Sequence, residues 1–146
     1  MNLWSWPQMM EANRMPEKIL LNEHEENDGS LIVVESEKDI PFLVKRTFWI
    51  YNTPENAVRA EHACRNSDFL FVCLSGRVKI TLDNGRTERS YVLDRPSQGI
   101  LVPRMTWMKT EKFSEDAILL VLASEKYDPM QYCSDYKIFL KEIDKI

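Results

Sequence analysis

Arg59-Ala60-Glu61-His62-Ala63-Cys64 is followed, after a short polar link, by Phe69-Leu70-Phe71-Val72-Cys73-Leu74 and the turn Ser75-Gly76. The second run is apolar throughout and strand-sized, so it reads as a strand buried on both faces. Downstream, Val78, Ile80 and Leu82 alternate with Arg77, Lys79 and Thr81, the pattern of a half-exposed partner strand. Asp83-Asn84-Gly85 then supplies a hairpin signal, because Asn-Gly tolerates positive φ. Arg86 to Leu93 returns, Arg95 to Gly99 turns, Gly99 to Met108 carries the Pro103 break, and Ala117 to Ala123 is a second continuous apolar strand. All four glycines, Gly29, Gly76, Gly85 and Gly99, fall at predicted turns.

Upstream, Phe42 to Asn52 alternates, with Phe42, Val44, Arg46, Phe48 and Ile50 on one face and Leu43, Lys45, Thr47, Trp49 and Tyr51 on the other. The first face reads as core. The second, with large aromatics and a cation, has the make-up of a cavity wall or of aromatic packing. Asp28-Gly29 marks a turn, Ser30 to Glu35 a short strand, and the acidic stretch Glu23 to Asp28 leaves His24 solvated. After Asp128 the period changes: Cys133, Tyr136, Leu140 and Ile143 recur at steps of three and four. That spacing predicts a helix from 129 to about 143, capped by Asp128, with Pro129 in its first turn and Gln131 completing a capping box. Many short strands at turn-marked spacing predict an all-β sandwich or barrel with this helix on its surface.

The totals agree. The chain has 146 residues, enough for one domain with its own core. Residues 1–18, with Trp4, Trp6 and four of the seven methionines, read as an N-terminal extension, either a tail or an arm laid on a partner. Residues 19–146 read as the domain. A formal net charge of −4 with no basic cluster argues against nucleic acid, and no apolar run approaches the ~20 residues of a membrane span. Cys64, Cys73 and Cys133 are widely spaced and suit a reducing, cytoplasmic setting.

The segment before Gly76 stands where a cupin places its first metal motif. Here that motif reads His62-x-Cys64, followed by Asp68 and Phe69, and the later strand offers Trp107-Met108-Lys109. One His and one Cys do not make a first coordination shell, so neither metal nor other cofactor is predicted.

Gly29-Ser30-Leu31, Ile40-Pro41-Phe42, Lys45-Arg46, Arg59…His62-Ala63, Val72-Cys73-Leu74 and Leu82-Asp83-Asn84-Gly85 occur in this order along the chain. Phe113-Ser114, Val121-Leu122-Ala123-Ser124, Tyr127-Asp128 and Asp135-Tyr136 continue the series. With these the chain, from about Ile19 to Leu140, resembles the WxcM-like cupins, the dTDP-4-keto-6-deoxyglucose 3,4-ketoisomerases of bacterial deoxysugar and polysaccharide biosynthesis. The resemblance implies a cupin-type antiparallel β-sandwich (jelly roll) with a C-terminal α-helix. It also implies a homodimer that exchanges strands, a bound dTDP-sugar, and transfer of the ketone from C4 to C3 through an enediol without metal.

Carried over by position, the family's first motif histidine falls on His62, its second on Cys64 and the histidine of its Trp-His pair on Met108. Its arginine falls on Arg59, its glycine on Ala60, and its active-site tyrosine most nearly on Trp49, with Tyr51 on the same face. A glutamine of the family falls on Phe69. Met transfers no proton, and a thiol near its reference value of roughly 8.5 stays protonated at neutral pH. The expected catalytic set is therefore His62 as base, with Cys64 and Tyr51 as relays. Arg46 and Arg59 are expected on the pyrophosphate, and Trp49, Trp107 and Met108 on the rest of the ligand. Two readings follow. One is a ketoisomerase that moves a proton on His62. The other is a catalytically impaired homologue that binds a nucleotide-sugar or completes a dimer with an active paralogue.

Overall fold

A computed structural model describes residues 10–146, so the expectation for Trp4 and Trp6 lies outside the described residues. Two five-stranded antiparallel sheets form a sandwich. The first sheet has the order β1 (Glu17–Leu20), β9 (Gln98–Val102), β6 (Phe69–Ser75), β11 (Ile118–Ala123), β4 (Arg46–Tyr51). The second has the order β12 (Tyr132–Cys133), β5 (Val58–Cys64), β10 (Trp107–Glu111), β7 (Val78–Asp83), β8 (Glu88–Leu93). A separate hairpin pairs β2 (Asn22–Glu26) with β3 (Gly29–Val33).

The doubly apolar run becomes β6, flanked by β9 and β11, with Phe69 to Cys73 buried on both faces. Phe69, Phe71 and Cys73 face the space between the sheets with Ile80, Leu82, Ile100 and Leu119. Leu70 and Val72 face the other way, under Ile40, Phe42, Leu21 and Met10. A strand with two apolar faces is placed where both faces have a partner layer.

Three sequence expectations change. The acidic stretch with His24 is not loose: it forms β2, register-paired with the strand that follows Asp28-Gly29. Gly99 is not in a turn but inside β9, where a Cβ would lie 2.8 Å from Leu70 Cδ1. A side chain at 99 would have to push that buried leucine tip of β6 aside. The segment from 129 is not one helix. A 3₁₀ turn, Pro129–Gln131, is capped by Asp128, then β12 follows, and only Tyr136–Ile143 is the α-helix α1. The three-and-four spacing was real only over its second half; Tyr132 and Cys133 instead join the edge of β5. Asp135 caps α1 by accepting from the backbone N–H groups of Lys137 and Ile138.

The N-terminal stretch from Met10 is tied to the body. Asn13 is buried and its Nδ2 donates to the carbonyls of Asn84 and Met105, both at 2.7 Å. The α1 helix sets Phe139 and Ile143 against Ala63, Met105 and Cys133 on the outside of the second sheet. Its Tyr136 donates to Asp83 Oδ2 at 2.5 Å, and that carboxylate pushes the phenol up to about 12.

Candidate active site

The sheets enclose a cavity of about 530 Å³, within the range of small-molecule sites. One wall is Phe48 and Ile50 of β4, Phe69 and Phe71 of β6, and Leu119 and Val121 of β11. The other carries Arg59, Ala60 and His62 of β5, Met108 and Thr110 of β10, and Tyr132 of β12. Arg46 and Tyr127 complete the lining. Polar groups are few and belong mainly to the second wall.

His62 and Met108 are direct cross-strand partners, so their side chains lie side by side on one face. Before them the ladder slips: Met108 pairs with His62, but Thr110 pairs with Arg59. Ala60 and Glu61 thus oppose the single residue Lys109. Ala60 takes φ +65° to make this bulge, which brings both Arg59 and His62 to the cavity.

His62 Nδ1 is buried and has no hydrogen-bond partner among the described residues. Burial holds the imidazole below its ordinary value of 6.5, so it is neutral, and therefore a base, at neutral pH. The ring meets Tyr132 edge-on, with centroids 4.8 Å apart. The Tyr132 hydroxyl accepts from Arg46 Nη2 at 2.7 Å. Arg46 also lies 5.0 Å from the centre of the Phe48 ring and 5.3 Å from that of Tyr127. Its Nε is buried and unpaired among the described residues. A desolvated guanidinium with a spare donor suits an anionic or carbonyl oxygen.

The expected site residues separate. His62, Arg46, Arg59 and Met108 come together at the cavity. Cys64 does not line it: the thiol is packed in the core, 3.5 Å from Asn66 Oδ1, and burial pushes it above 9.0. Trp49 and Tyr51 stand on the opposite face of β4, more than half exposed over a shallow depression shared with Leu74, Ile118 and Leu120. The alternation along β4 and its inward Arg46-Phe48-Ile50 face agree with the sequence reading; what differs is that the cavity opens on this inner face and not on the Trp49-Tyr51 face. Trp107 alternates with Met108 and so points out of the sandwich, packed edge-on against Tyr136 at 5.2 Å and against Phe139. The cavity position on β4 is therefore held by Phe48, not Trp49. Asp68 is also outside the cavity, with both carboxylate oxygens 3.3 Å from Arg104 Nη1. Tyr132 and Tyr127 were missed, because the sequence placed them in or before a surface helix.

Among the described residues no group of three or more His, Cys, Asp or Glu side chains is arranged to hold a metal ion.

Comparison with known proteins adds three findings. Residues 14–144 match the family model described as FdtA, WxcM-like, C-terminal. A TDP-4-oxo-6-deoxy-α-D-glucose-3,4-oxoisomerase of Aneurinibacillus thermoaerophilus is 37% identical over 118 residues, covering 81% of this chain and 85% of the relative. Among solved structures, a 3,4-ketoisomerase from Helicobacter canadensis superposes with a TM-score of 0.85 at 34% identity, covering 88% of this chain and 97% of that one. A variant 3,4-ketoisomerase from Thermoanaerobacterium thermosaccharolyticum, in complex with TDP-4-keto-6-deoxyglucose, gives 0.86 at 31% identity, covering 93% and 97%.

Proposed function

This chain belongs to the WxcM-like, C-terminal (FdtA) family, and on that premise we propose that it is a nucleotide-sugar 3,4-ketoisomerase of deoxysugar biosynthesis in which His62 moves the proton. The observation that carries the reading is the neutral, half-buried imidazole whose Nδ1 is unpaired in a cavity of ligand size. A ketone at C4 acidifies the hydrogen at C3. His62 takes that proton, an enediol forms, and the same imidazole returns the proton to C4 on the same face. Arg46 and Arg59 are the cationic groups of the lining and suit the pyrophosphate or sugar oxygens. The relative from Thermoanaerobacterium holds a TDP-linked 4-keto sugar, which makes dTDP-4-keto-6-deoxyglucose the first substrate to try.

A second reading has its own support. Met108 occupies the place beside His62 where a proton-transferring group would act, and Cys64 is sealed in the core. Both changes favour a homologue that binds the nucleotide-sugar and turns it over poorly or not at all.

The partner is a second copy of the chain. Trp49, Tyr51 and Leu74 are each 45% or more exposed on the outer face of the first sheet. An apolar patch of that kind is unfavourable against water and suits a self-complementary interface. The three unpaired cysteines fit a cytoplasmic setting. No helix among the described residues is long and apolar enough to cross a membrane.

The test is to incubate the purified protein with dTDP-4-keto-6-deoxyglucose and follow the sugar by proton NMR. A 3-keto product supports catalysis. A dTDP-dependent rise in Tm with no product after a day supports the binding reading. Neither change rejects both.

A further inference from the structure

Resting on the isomerase reading, we propose that Tyr132 is the second acid–base group of this site and carries the hydroxyl proton between O4 and O3 of the sugar. The isomerisation needs two proton carriers, one for carbon and one for oxygen. His62 serves the carbons. Elimination among the cavity-lining side chains leaves few choices for the oxygens. Arg46 and Arg59 stay protonated and release nothing. The Thr110 hydroxyl donates to the Arg59 carbonyl at 3.3 Å. Cys64 does not reach the lining. Tyr127 is 66% exposed and, among the described residues, meets Arg46 and Tyr132 through its ring. Tyr132 is half-buried, seated edge-on against His62, and fixed by Arg46.

That fixing has a chemical consequence. Because Arg46 Nη2 donates to the Tyr132 oxygen, the phenolic hydrogen is not spent on Arg46; its neighbouring acceptor is the Cys64 sulfur, a weak one that a ligand oxygen displaces. Burial holds the phenol above its ordinary value of 10, and the same guanidinium acts against that, offsetting part of the cost of a transient phenolate. The step balances as follows. The imidazole of His62 takes the C3 proton. The C3–H pair becomes the C3=C4 bond, the carbonyl π pair moves to O4, and O4 takes the Tyr132 proton. The resulting phenolate takes the proton from O3, whose electrons form the C3 carbonyl. The C3=C4 pair then takes the imidazolium proton at C4. Both side chains end as they began, and no further reactant is consumed.

The pairing places a proton carrier on β12, the two-residue strand between the 3₁₀ turn and α1. Tyr132↔Cys64 is its register, so the strand that carries His62 also sets the height of Tyr132 in the cavity.

The test compares wild type with Tyr132→Phe, which keeps the ring against His62 and removes only the hydroxyl. The expected result is a kcat about 100-fold lower with KM and the dTDP-induced Tm rise unchanged. A merely structural role would instead lower Tm and raise KM. If Tyr132→Phe does not fold, 3,5-difluorotyrosine at position 132 keeps the shape and makes the hydroxyl more acidic. It is expected to move the alkaline limb of kcat downward, against the fixed background of Arg46, His62, Cys64 and Tyr127 around that ring. Wild-type turnover with Tyr132→Phe within threefold of it overturns Tyr132 alone. A difluorotyrosine protein whose alkaline limb is unmoved does the same. Absence of turnover in the wild type overturns the isomerase reading itself, and this inference with it.

Discussion

In the proposed function His62 is the base, and its environment sets a measurable limit. Burial holds the imidazole below 6.5, so protonation removes the base only at lower pH. The acid limb of kcat/KM is therefore expected below pH 6.5, and activity should be level from there up through neutrality. An acid limb above 6.5 would mean a charged neighbour stabilises the imidazolium. Met108 is the second residue with a clear expectation. Its side chain adjoins His62 across the ladder, and Met108→His would put a proton carrier there. The Met108→His variant is expected to raise kcat tenfold or more, measured on the 4-keto substrate. The place of His62 at the cavity was legible through the resemblance, which sets the family's first motif histidine on it. The side of β4 that carries the cavity was not. Alternation separates a core face from an aromatic one, but the hollow lies within the core, on the Arg46-Phe48-Ile50 face. The large aromatics and the cation of the other face, with the family tyrosine carried over to it, pointed to Trp49 and Tyr51 instead.

At the scale of elements, the bulge in β5 and the turn before β8 each hold a backbone that ordinary residues resist. Ala60 sits at φ +65°, a region that costs a non-glycine residue about 1 kcal/mol. Ala60→Gly is expected to raise stability by up to about 1 kcal/mol in urea unfolding, less the entropy that glycine adds to the unfolded chain. Gly85 sits at φ +90° under α1, where a Cβ would lie 1.9 Å from Ile143 Cδ1. Gly85→Ala should cost about 1–3 kcal/mol from backbone strain alone, with Ile143 forced to move as well. The Asn-Gly hairpin was legible because its chemistry is local. The end of the chain was not, because β12 exists only through pairing with β5. Nothing within Tyr132-Cys133 distinguishes two strand residues from one turn of an amphipathic helix. The same misreading hid Tyr132 from the site.

For the whole molecule, the sandwich has one side clothed and one partly bare. The α1 helix covers part of the second sheet with Phe139 and Ile143. On the first sheet Trp49, Tyr51 and Leu74 remain open. A dimer across that face is expected by sedimentation, and Trp49→Glu with Leu74→Glu should release monomers without moving the cavity wall. A wild-type monomer at micromolar concentration would assign that face elsewhere. The sandwich could be read from the chain because continuous apolar strands require two covering layers. The expectation of a dimer comes from the resemblance, since exposed aromatics do not name what they meet.

The central claim is that a single imidazole handles the carbon-bound proton. Deuterium incorporation into dTDP-4-keto-6-deoxyglucose in D₂O, followed by proton NMR, tests it most directly. Wild type is expected to place deuterium in the hexose, at C3 of the substrate or C4 of the product. His62→Gln, folded and still stabilised by dTDP, is expected to place none. Equal incorporation by both proteins, or none by either, would contradict the account.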